Sequence, residues 1–571
     1  MSTAQRQSFP ETPDTAGAYP RLTGEQIAAL TAGGERRSTK VGEVLFREGQ
    51  RTSDFVVVLD GTVAIVEGHG RPDERVVSVH GPGRFLGELG LLTGQAAFVT
   101  ATVLEPGAVL IVPVDRLRQV VTQDVALGDV ILRAYVLRRS ILIGLGAGIR
   151  IVGSRYSPDA RRLRDFVARN RVPHRFVDLE REPQAEALLR EIGVPPEETP
   201  VVVWGGSDLL RNPSNSELAR AIGLPAPGPS EAVCDLVVVG AGPAGLAAAV
   251  YGASEGLATV AIDAIATGGQ AETSPRIENY LGFPAGISGA ELADRAVIQA
   301  QKFGARICVP GRATALLHRD GYYQVQLEDG SSLIGRTVLI ATGAQYRKLD
   351  VPRLEQFEGT SVYYAATQME AMLCGHDPVA IVGGGNSAGQ AALFLAHHAA
   401  QVRLIVRSDN LGSDMSRYLV DQIERSTGVE VLLNAEVREL VGDGVLEQIV
   451  VENNQTRERR TLDAKALFVF IGAAPATGWL ADEVALDEHG FIWTGADAAP
   501  FAIEDVPGVG EVAVGEDVAG EVISRPLLLE TNRRGVFAAG DVRSGSIKRV
   551  ASAVGEGAMA VRLVHERVHL E

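Results

Sequence analysis

Two short glycine-rich turns carry the most specific chemistry in this 571-residue chain. The first, Gly240-Ala241-Gly242-Pro243-Ala244-Gly245, follows an apolar run at 234–239 whose only charge is Asp235, and it leads into a helical stretch at 246–256. In such a turn the first glycine permits the tight bend, the second lets backbone approach a pyrophosphate and the third lets helix pack on strand, leaving the phosphate at the helix N-terminus. Asp263 ends the next apolar stretch, 18 residues after Gly245, where a carboxylate can accept the hydroxyls of an adenosine ribose. A second unit repeats the pattern: an apolar run at 379–382, then Gly383, Gly384, Gly385, Asn386, Ser387 and Ala388, a helical stretch through Ala400 and a strand-like run at 402–406. Here Ala388 stands at the third glycine, and the run ends in Arg407 and Ser408 rather than an acid. A cation at that point suits a ribose carrying a 2′-phosphate, which favours NADPH over NADH. Two dinucleotide sites in one chain imply a flavin on the first and a nicotinamide on the second, with hydride passing when the rings stack at about 3–3.5 Å.

The elements that position these turns lie in the last of three blocks, separated by a Gly-rich turn at 144–148 and a Pro/Gly stretch at 224–231. In the first block, short β-branched runs at 55–59, 63–66, 76–79 and 109–114 alternate with Gly turns, and helical spacing follows at 115–143, which predicts a β-roll with helices. The second alternates strand (149–153), helix (160–170), strand (174–178), helix (184–192), strand (201–204) and helix (216–222), a small α/β domain. The third opens with the strand, turn and helix already described. The fold class expected is therefore multidomain: β-roll, small α/β unit, and two Rossmann-like α/β units.

Composition narrows the function. Apolar residues make up 46% and charged residues 22%, so the 64 Gly and 27 Pro belong to a packed chain rather than a disordered one. A formal charge of −17 offers no general attraction to phosphate backbones, so no nucleic-acid partner is expected. The polar N-terminal stretch 1–18 has no secretory signal, and the apolar runs at 141–149 and 466–480 are too short or too interrupted to span a bilayer; a cytoplasmic protein without a membrane partner is expected. Three scattered cysteines, Cys234, Cys308 and Cys374, are too few for a disulfide framework or a cysteine-rich metal site, and no metal is expected. A buried structural role is expected for Cys374.

From 235 to 561 the chain resembles the low-molecular-weight thioredoxin reductases, in which an NADPH domain is inserted into an FAD domain. The resemblance rests on GAGPAG at 240–245, GGQ at 268–270, IENYLGFPAGISGAEL at 277–292, ATG at 341–343, GGGNSA at 383–388, VFIGAAP at 469–475 and GVFAAGDV at 535–542. It implies that Gly269, Gln270 and Asn279 border the flavin with Ala341 and Gly343, that Gly540 and Asp541 take the ribityl chain, and that Arg549, Val550 and Ala551 lie beside the isoalloxazine edge. A buried strand at 535–539 ending in Gly540 and Asp541 just before a helix supports this assignment. Such reductases relay electrons through a Cys-x-x-Cys ahead of the second glycine turn, where this chain reads Tyr364-Ala365-Ala366-Thr367; Tyr364 and Thr367 occupy the cysteine positions. The middle block resembles glutaredoxin-like domains with a cis proline at Thr199-Pro200, and its turn Ser157-Pro158-Asp159-Ala160 also lacks both sulfurs. FLGELGLL at 85–92 resembles the phosphate-binding cassette of cyclic-nucleotide-binding domains, with Gly87, Glu88 and Leu89 as site residues. The cassette's arginine is missing, since the stretch continues Gln95-Ala96-Ala97-Phe98, and its loss lowers affinity for a phosphate by roughly 1.5–3 kcal/mol.

These resemblances divide the chain into a cyclic-nucleotide-binding-like domain at 20–145, a glutaredoxin-like domain at 149–224, a linker at 225–232, an FAD domain at 233–352 and 481–571, and an NAD(P)H domain at 353–480. They imply a homodimer and an NADPH oxidoreductase whose reduced flavin, with no dithiol beside it, hands electrons directly to an unidentified acceptor: a quinone, oxygen or a one-electron carrier protein. The N-terminal domain would bind a cyclic or other nucleotide, or persist as scaffold. Thioredoxin-disulfide reductase, ferredoxin-type NADP reductase and redox-sensing regulatory flavoprotein remain as alternatives. An acidic, Gly-rich stretch at about 495–520 reads as a mobile surface loop.

Overall fold

The computed structural model describes residues 9–568 apart from 52–53, 72–73, 88–90, 92–94, 183–184, 186–188, 190–192, 205–207, 226–231, 275–276, 278–279, 359, 365, 367–370, 372–373, 375, 481–482, 507–509 and 514–524. Helix α1 (Gly24–Thr31) leads into an antiparallel roll of β1 (Glu35–Thr39), β2 (Val44–Phe46), β3 (Asp54–Glu67), β4 (Arg75–His80) and β5 (Thr100–Pro113), in the order β1-β5-β3-β4 with β2 on β5. The runs at 55–59 and 63–66 are two halves of one strand. β3 bends through three register shifts between Val58 and Val63 while staying paired with β5. Gly61 makes the bend possible: its φ is +79°, and a Cβ there would lie 2.5 Å from the Glu105 carbonyl oxygen. Two helices follow, α2 (Val114–Gln123) and α3 (Val125–Gly144), broken at Asp124, whose carboxylate caps α3 by accepting from the Leu127 N–H.

The middle block forms a mixed sheet from β6 (Ile149–Gly153), β7 (His174–Asp178), β8 (Val201–Trp204) and β9 (Asp208–Arg211), in the order β7-β6-β8-β9, with α4 (Pro158–Arg169) and α5 (Asn215–Ala221). Only β6 and β7 are parallel. The strands at 149–153, 174–178 and 201–204 match the sequence reading; β9, four residues with a charge at each end, was not legible. The Thr199–Pro200 peptide is cis. The helix expected at 184–192 falls largely outside the described residues. Roll and middle sheet share a core in which Ala96 and Phe98 pack with Ile151, Phe166, Trp204 and Leu218, the Phe98 and Trp204 rings lying 5.1 Å apart.

The third block builds a large sheet. β10 (Cys234–Val239), α6 (Pro243–Ser254), β11 (Thr259–Ile262), α7 (Gly289–Lys302), β12 (Arg306–Cys308), β13 (Ala313–Arg319), β14 (Tyr322–Leu327) and β15 (Ser332–Ile340) give the order β12-β11-β10-β15-β14-β13. Leu236, Val237 and Val238 are fully buried, because helices and strands cover both faces of a central parallel strand; this is why β10 reads as a continuous apolar run. The chain then leaves through β16 (Ala344–Tyr346) to a second unit: α8 (Leu354–Phe357), β17 (Val362–Tyr363), β18 (Pro378–Val382), α9 (Asn386–Leu395), β19 (Gln401–Ile405), α10 (Arg417–Arg425), β20 (Val429–Leu432), β21 (Ala435–Asp443), β22 (Val445–Asn453), β23 (Arg459–Asp463) and β24 (Ala466–Val469). Its parallel sheet runs β17-β24-β18-β19-β20, beside the antiparallel β21-β22-β23. β25 (Ala473–Pro475) pairs with β16 on the way back. Within the stretch read as a loop, β26 (Ile503–Val506) and β27 (Gly510–Ala513) pair as a hairpin. β28 (Val536–Ala538) then rejoins the large sheet on β15, with Val338 opposite Val536, and α11 (Val550–Val568) completes the fold. The helix expected directly after Asp541 begins later: a single turn at Gly540–Val542 comes first.

Candidate active site

Gly240 (φ +109°) follows β10, and a Cβ there would lie 2.2 Å from the Ala341 carbonyl oxygen. A Cβ on Gly245 would sit 1.8 Å from the Gly240 carbonyl oxygen, so only glycine lets α6 close on its own turn. Gly242 caps α6 with extended backbone and Pro243 stands in the first turn, so the N–H groups of Ala244 and Gly245 have no acceptor within the helix and form an anion-accepting start. Asp263 is aimed at this turn. Its Oδ2 accepts from the Ala241 N–H (2.9 Å) and its Oδ1 from the N–H groups of Ile265 (3.0 Å) and Ala266 (3.2 Å), leaving lone pairs for a ribose hydroxyl.

The other family segments converge here. Gly269 lies against Gly242, where a Cβ would come within 3.0 Å of the Gly242 Cα, and Gln270 Nε2 donates to the Ala344 carbonyl. Gly343 (φ +69°) accepts through its carbonyl from the Ala476 N–H (3.1 Å) at the crossing into the second unit. A Cβ on Gly540 would lie 3.0 Å from the Ala244 Cβ, and one on Gly557 of α11 would lie 2.0 Å from the Ala244 carbonyl oxygen. Asp541 follows Gly540; burial raises its pKa, while Lys548 and Arg549 pull it back down. Arg549 is exposed, and Val550 and Ala551 open α11. Asn279 lies outside the described residues. Glycines let the backbone segments close tightly around the turn, and a helix start and carboxylates supply polar groups beside it, so the residues fit a dinucleotide such as FAD.

In the second unit Gly383 (φ +145°) passes the Phe470 carbonyl oxygen, 2.3 Å from where its Cβ would stand, and Gly385 caps α9. Ala388 is fully buried against Gly383. The next residue, Gly389, faces the loop that precedes α10, where a Cβ would lie 2.7 Å from Met415 Sδ. Asn386 Oδ1 accepts from the Ser416 N–H (2.7 Å) and Oγ (2.8 Å), fixing the loop after β19, while Ser387 is exposed at the helix start. Arg407 is exposed just past β19; its carbonyl accepts from Asn454 Nδ2 (2.8 Å), and its guanidinium makes no ion pair among the described residues. Ser408 Oγ donates to the Asn410 carbonyl. The exposed guanidinium, hydroxyl and helix start fit NADPH.

Tyr364 stacks on Tyr346 of β16, with rings 5.7 Å apart and 12° from parallel, and donates to Glu358 Oε1. Glu358 also pairs with Lys348 (2.7 Å). Burial raises the Tyr346 phenol, and the Asp541 charge adds to the rise. The tyrosine pair thus sits beside the first cradle. Tyr346 and Glu358 carried no sequence signal, because a stacking contact across a strand link has no periodicity. Thr367 lies outside the described residues. All three cysteines are buried, none is in a disulfide, and burial raises the thiols of Cys234 and Cys308. In the roll, Gly87 (φ +100°) accepts from Arg138 Nη1 (2.9 Å); Glu88 and Leu89 lie outside the described residues. Among the described residues no cluster could hold a metal, and no helix is long and apolar enough to cross a membrane.

Residues 234–525 match the Pyridine nucleotide-disulphide oxidoreductase family, and residues 36–124 match the Cyclic nucleotide-binding domain. A "34.2 kDa protein in rubredoxin operon" of Clostridium pasteurianum is 32% identical over 334 residues, covering 58% of this chain and 97% of that protein. The thioredoxin reductase of Mycoplasmopsis pulmonis is 30% identical over 338 residues, 59% of this chain and 98% of that one. The crystal structure of thioredoxin reductase from Streptococcus pyogenes superimposes with a TM-score of 0.50 at 30% identity, covering 60% of this chain and all of that one. The chain belongs to the pyridine nucleotide-disulphide oxidoreductase family and is a thioredoxin reductase-like, FAD-dependent NAD(P)H oxidoreductase joined to a cyclic nucleotide-binding domain.

Proposed function

We propose that this flavoenzyme oxidises NADPH and delivers the electrons from its flavin directly to a small acceptor, a quinone, oxygen or a one-electron carrier protein. One observation carries this reading: the chain has only three cysteines, no Cys-x-x-Cys, and no disulfide to relay electrons onward. The helix start at Gly242, Pro243, Ala244 and Gly245 would hold the FAD pyrophosphate, Asp263 the adenosine ribose, and Asp541 the ribityl chain. Gly269, Gln270, Ala341 and Gly343 would line its middle, with Asn279, Arg549, Val550 and Ala551 at the ring edge by family resemblance. Gly383, Gly385, Asn386, Ser387 and Ala388 would form the NADPH turn, with Arg407 and Ser408 taking the 2′-phosphate. FAD, when bound, supplies two-electron hydride chemistry; the chain's own residues bind, orient and exclude water around it.

Tyr346 and Tyr364, stacked beside Asp541, would give a planar acceptor an aromatic platform. The middle sheet is read as a glutaredoxin-like unit kept for docking, and the family resemblance supports a homodimer. The same reading sets the cyclic-nucleotide-binding-like domain at 20–145, the glutaredoxin-like domain at 149–224, the linker at 225–232, the FAD domain at 233–352 and 481–571, and the NAD(P)H domain at 353–480. Regulation by the roll is supported by the bridges that join its neighbour to the first cradle: Arg169 to Glu272 (3.1 Å), two residues beyond Gln270, and Arg171 to Asp294 of α7 (3.2 Å). Anaerobic titration with dithionite tests the electron path. Two electrons per FAD at the endpoint are expected; an endpoint of four would reveal a disulfide and return the thioredoxin reading that the relatives' names favour.

A further inference from the structure

A cavity of about 50 Å³ lies inside the roll, bounded by β3, β4, the 95–99 segment and α3. Much of its lining is apolar, including Phe46, Ile65, Leu91, Phe98, Ile141 and Leu142, while Ser78, His80 and Arg138 gather around Tyr19. Arg138 comes from α3, outside the cassette whose own arginine is missing. It is 6% exposed, and its guanidinium lies 4.5 Å from the Phe85 ring centre and 5.5 Å from that of Tyr19. Nε donates to the Ala18 carbonyl (2.8 Å) and Nη1 to the Gly87 carbonyl (2.9 Å), but Nη2 is buried without a hydrogen-bond partner. No carboxylate pairs with Arg138 among the described residues; Asp54, at the cavity margin, is exposed, and nearby Arg84 is already paired with Glu11 (2.8 Å).

His80 is 1% exposed, its Nε2 lies 3.0 Å from Ser78 Oγ, and its Nδ1 is also buried without a partner. Burial, with Arg138 and Arg84 nearby, holds this imidazole well below its usual pKa and therefore neutral, whereas Arg138, lowered to about 10, stays charged at neutral pH. The contact lets the Ser78 hydroxyl donate to Nε2, the tautomer in which Nδ1 carries the proton and is a second donor. Tyr135, Tyr19 and Asp14 favour the charge on Arg138, but among the described residues none of them bonds Nη2, and a buried cation with an unmet donor beside a second one is costly. An anionic ligand would meet both donors.

We propose that the roll binds a small organic monocarboxylate, its acid group taken by Arg138 Nη2 and His80 Nδ1 and its short apolar tail seated among Phe46, Phe98 and Leu142. A water-sized body needs roughly 10–15 Å³, so the space among the described residues, about 50 Å³, holds about four of them, which favours a short acid over a purine nucleotide. The cassette offers no replacement cation: Gln95 is buried and its Oε1 accepts from Arg139 Nη2 (2.9 Å). The proposal rests on the roll being a ligand-binding domain and is independent of where the flavin electrons go.

Calorimetric titration of the full-length holoprotein tests it, with butyrate, butan-1-ol, inorganic phosphate and cyclic AMP as probes. Trp204 fluorescence is a second readout, because Phe98 lines the cavity and touches that indole. Saturable butyrate binding that exceeds that of all three other probes is expected, and Arg138→Met should weaken it about ten- to a hundredfold, the worth of a charge-assisted contact. Cyclic AMP binding more tightly than butyrate, equal binding of butyrate and butanol, or silence toward butyrate at millimolar concentration would each overturn the proposal. All three are read on the wild-type protein, so they stand even if the variant fails to fold. Flavin reduction by NADPH, followed separately, reports on the electron path whichever way the titration falls.

Discussion

Replacing Asp294 with Asn should stabilise the protein although it removes an ion pair. Asp294 on α7 faces Arg171 Nε at 3.2 Å, with Arg139 also nearby. Burial nonetheless dominates and raises its pKa from 3.8 to about 6, with Glu272 and Glu291 adding to the rise and the two arginines opposing it. That rise corresponds to about 3 kcal/mol, at about 1.4 kcal/mol per tenfold change in proton affinity. The sign follows from proton counting. Between pH 3.8 and about 6 the folded chain holds a proton that the unfolded chain has released, so the contribution present below 3.8 is lost as pH rises through 6. Asn keeps the shape of the protonated acid at every pH. The variant should therefore match the wild type in acid and gain up to about 3 kcal/mol above neutrality. Arg171 keeps about a third of its side chain in solvent, and although the Nε that faces Asp294 is itself buried, the Asn amide oxygen can still face it. Scanning calorimetry of the same unfolding transition in both proteins at several pH values measures the gain, a precaution needed because a multidomain chain is not two-state. A deficit in the variant that grows with pH would mean that the arginine attraction outweighs burial, and the reasoning would fail.

Three further outcomes are expected. Gly245→Ala sets a Cβ 1.8 Å from the Gly240 carbonyl oxygen, so the variant should purify without flavin absorbance; a yellow protein would refute the cradle. Arg407→Ser should raise KM for NADPH about ten- to a hundredfold while leaving NADH unchanged, measured by steady-state oxidation of each coenzyme. Phe98→Ala empties a site shared by roll and middle sheet, at a cost of about 3–5 kcal/mol, and should lower the unfolding temperature of both together; movement of only one transition contradicts the shared core.

Much of the large sheet could be read directly. Strands such as 234–239 and 259–262 are buried on both faces, so their apolar runs and the glycines after them are local signals of a local cause. The roll was harder. Asp60-Gly61 resembles a turn, yet it is a bend inside β3 held by pairing to β5, a partner some 40 residues away. The same limit applies within the site. Gly389 gave no signal of its own, because Met415 lies opposite it only after α9 and the following loop have packed. Stacking of Tyr346 on Tyr364 needs the return crossing through β16 and β25. Arg138 reads as one more charged residue in an otherwise apolar helix; that it points inward is decided by Phe85 and Tyr19, on elements that precede it.

Gly557 of α11 rests on the Ala244 carbonyl, and β28 completes the sheet beside β15. A ribosome releases the first turn more than 300 residues before the segment that closes over it. During synthesis the roll and its neighbour can mature while the dinucleotide seat stays open along one flank. Cofactor loading is therefore expected late, after synthesis, and a message truncated ahead of α11 should yield a colourless polypeptide however well its earlier parts fold.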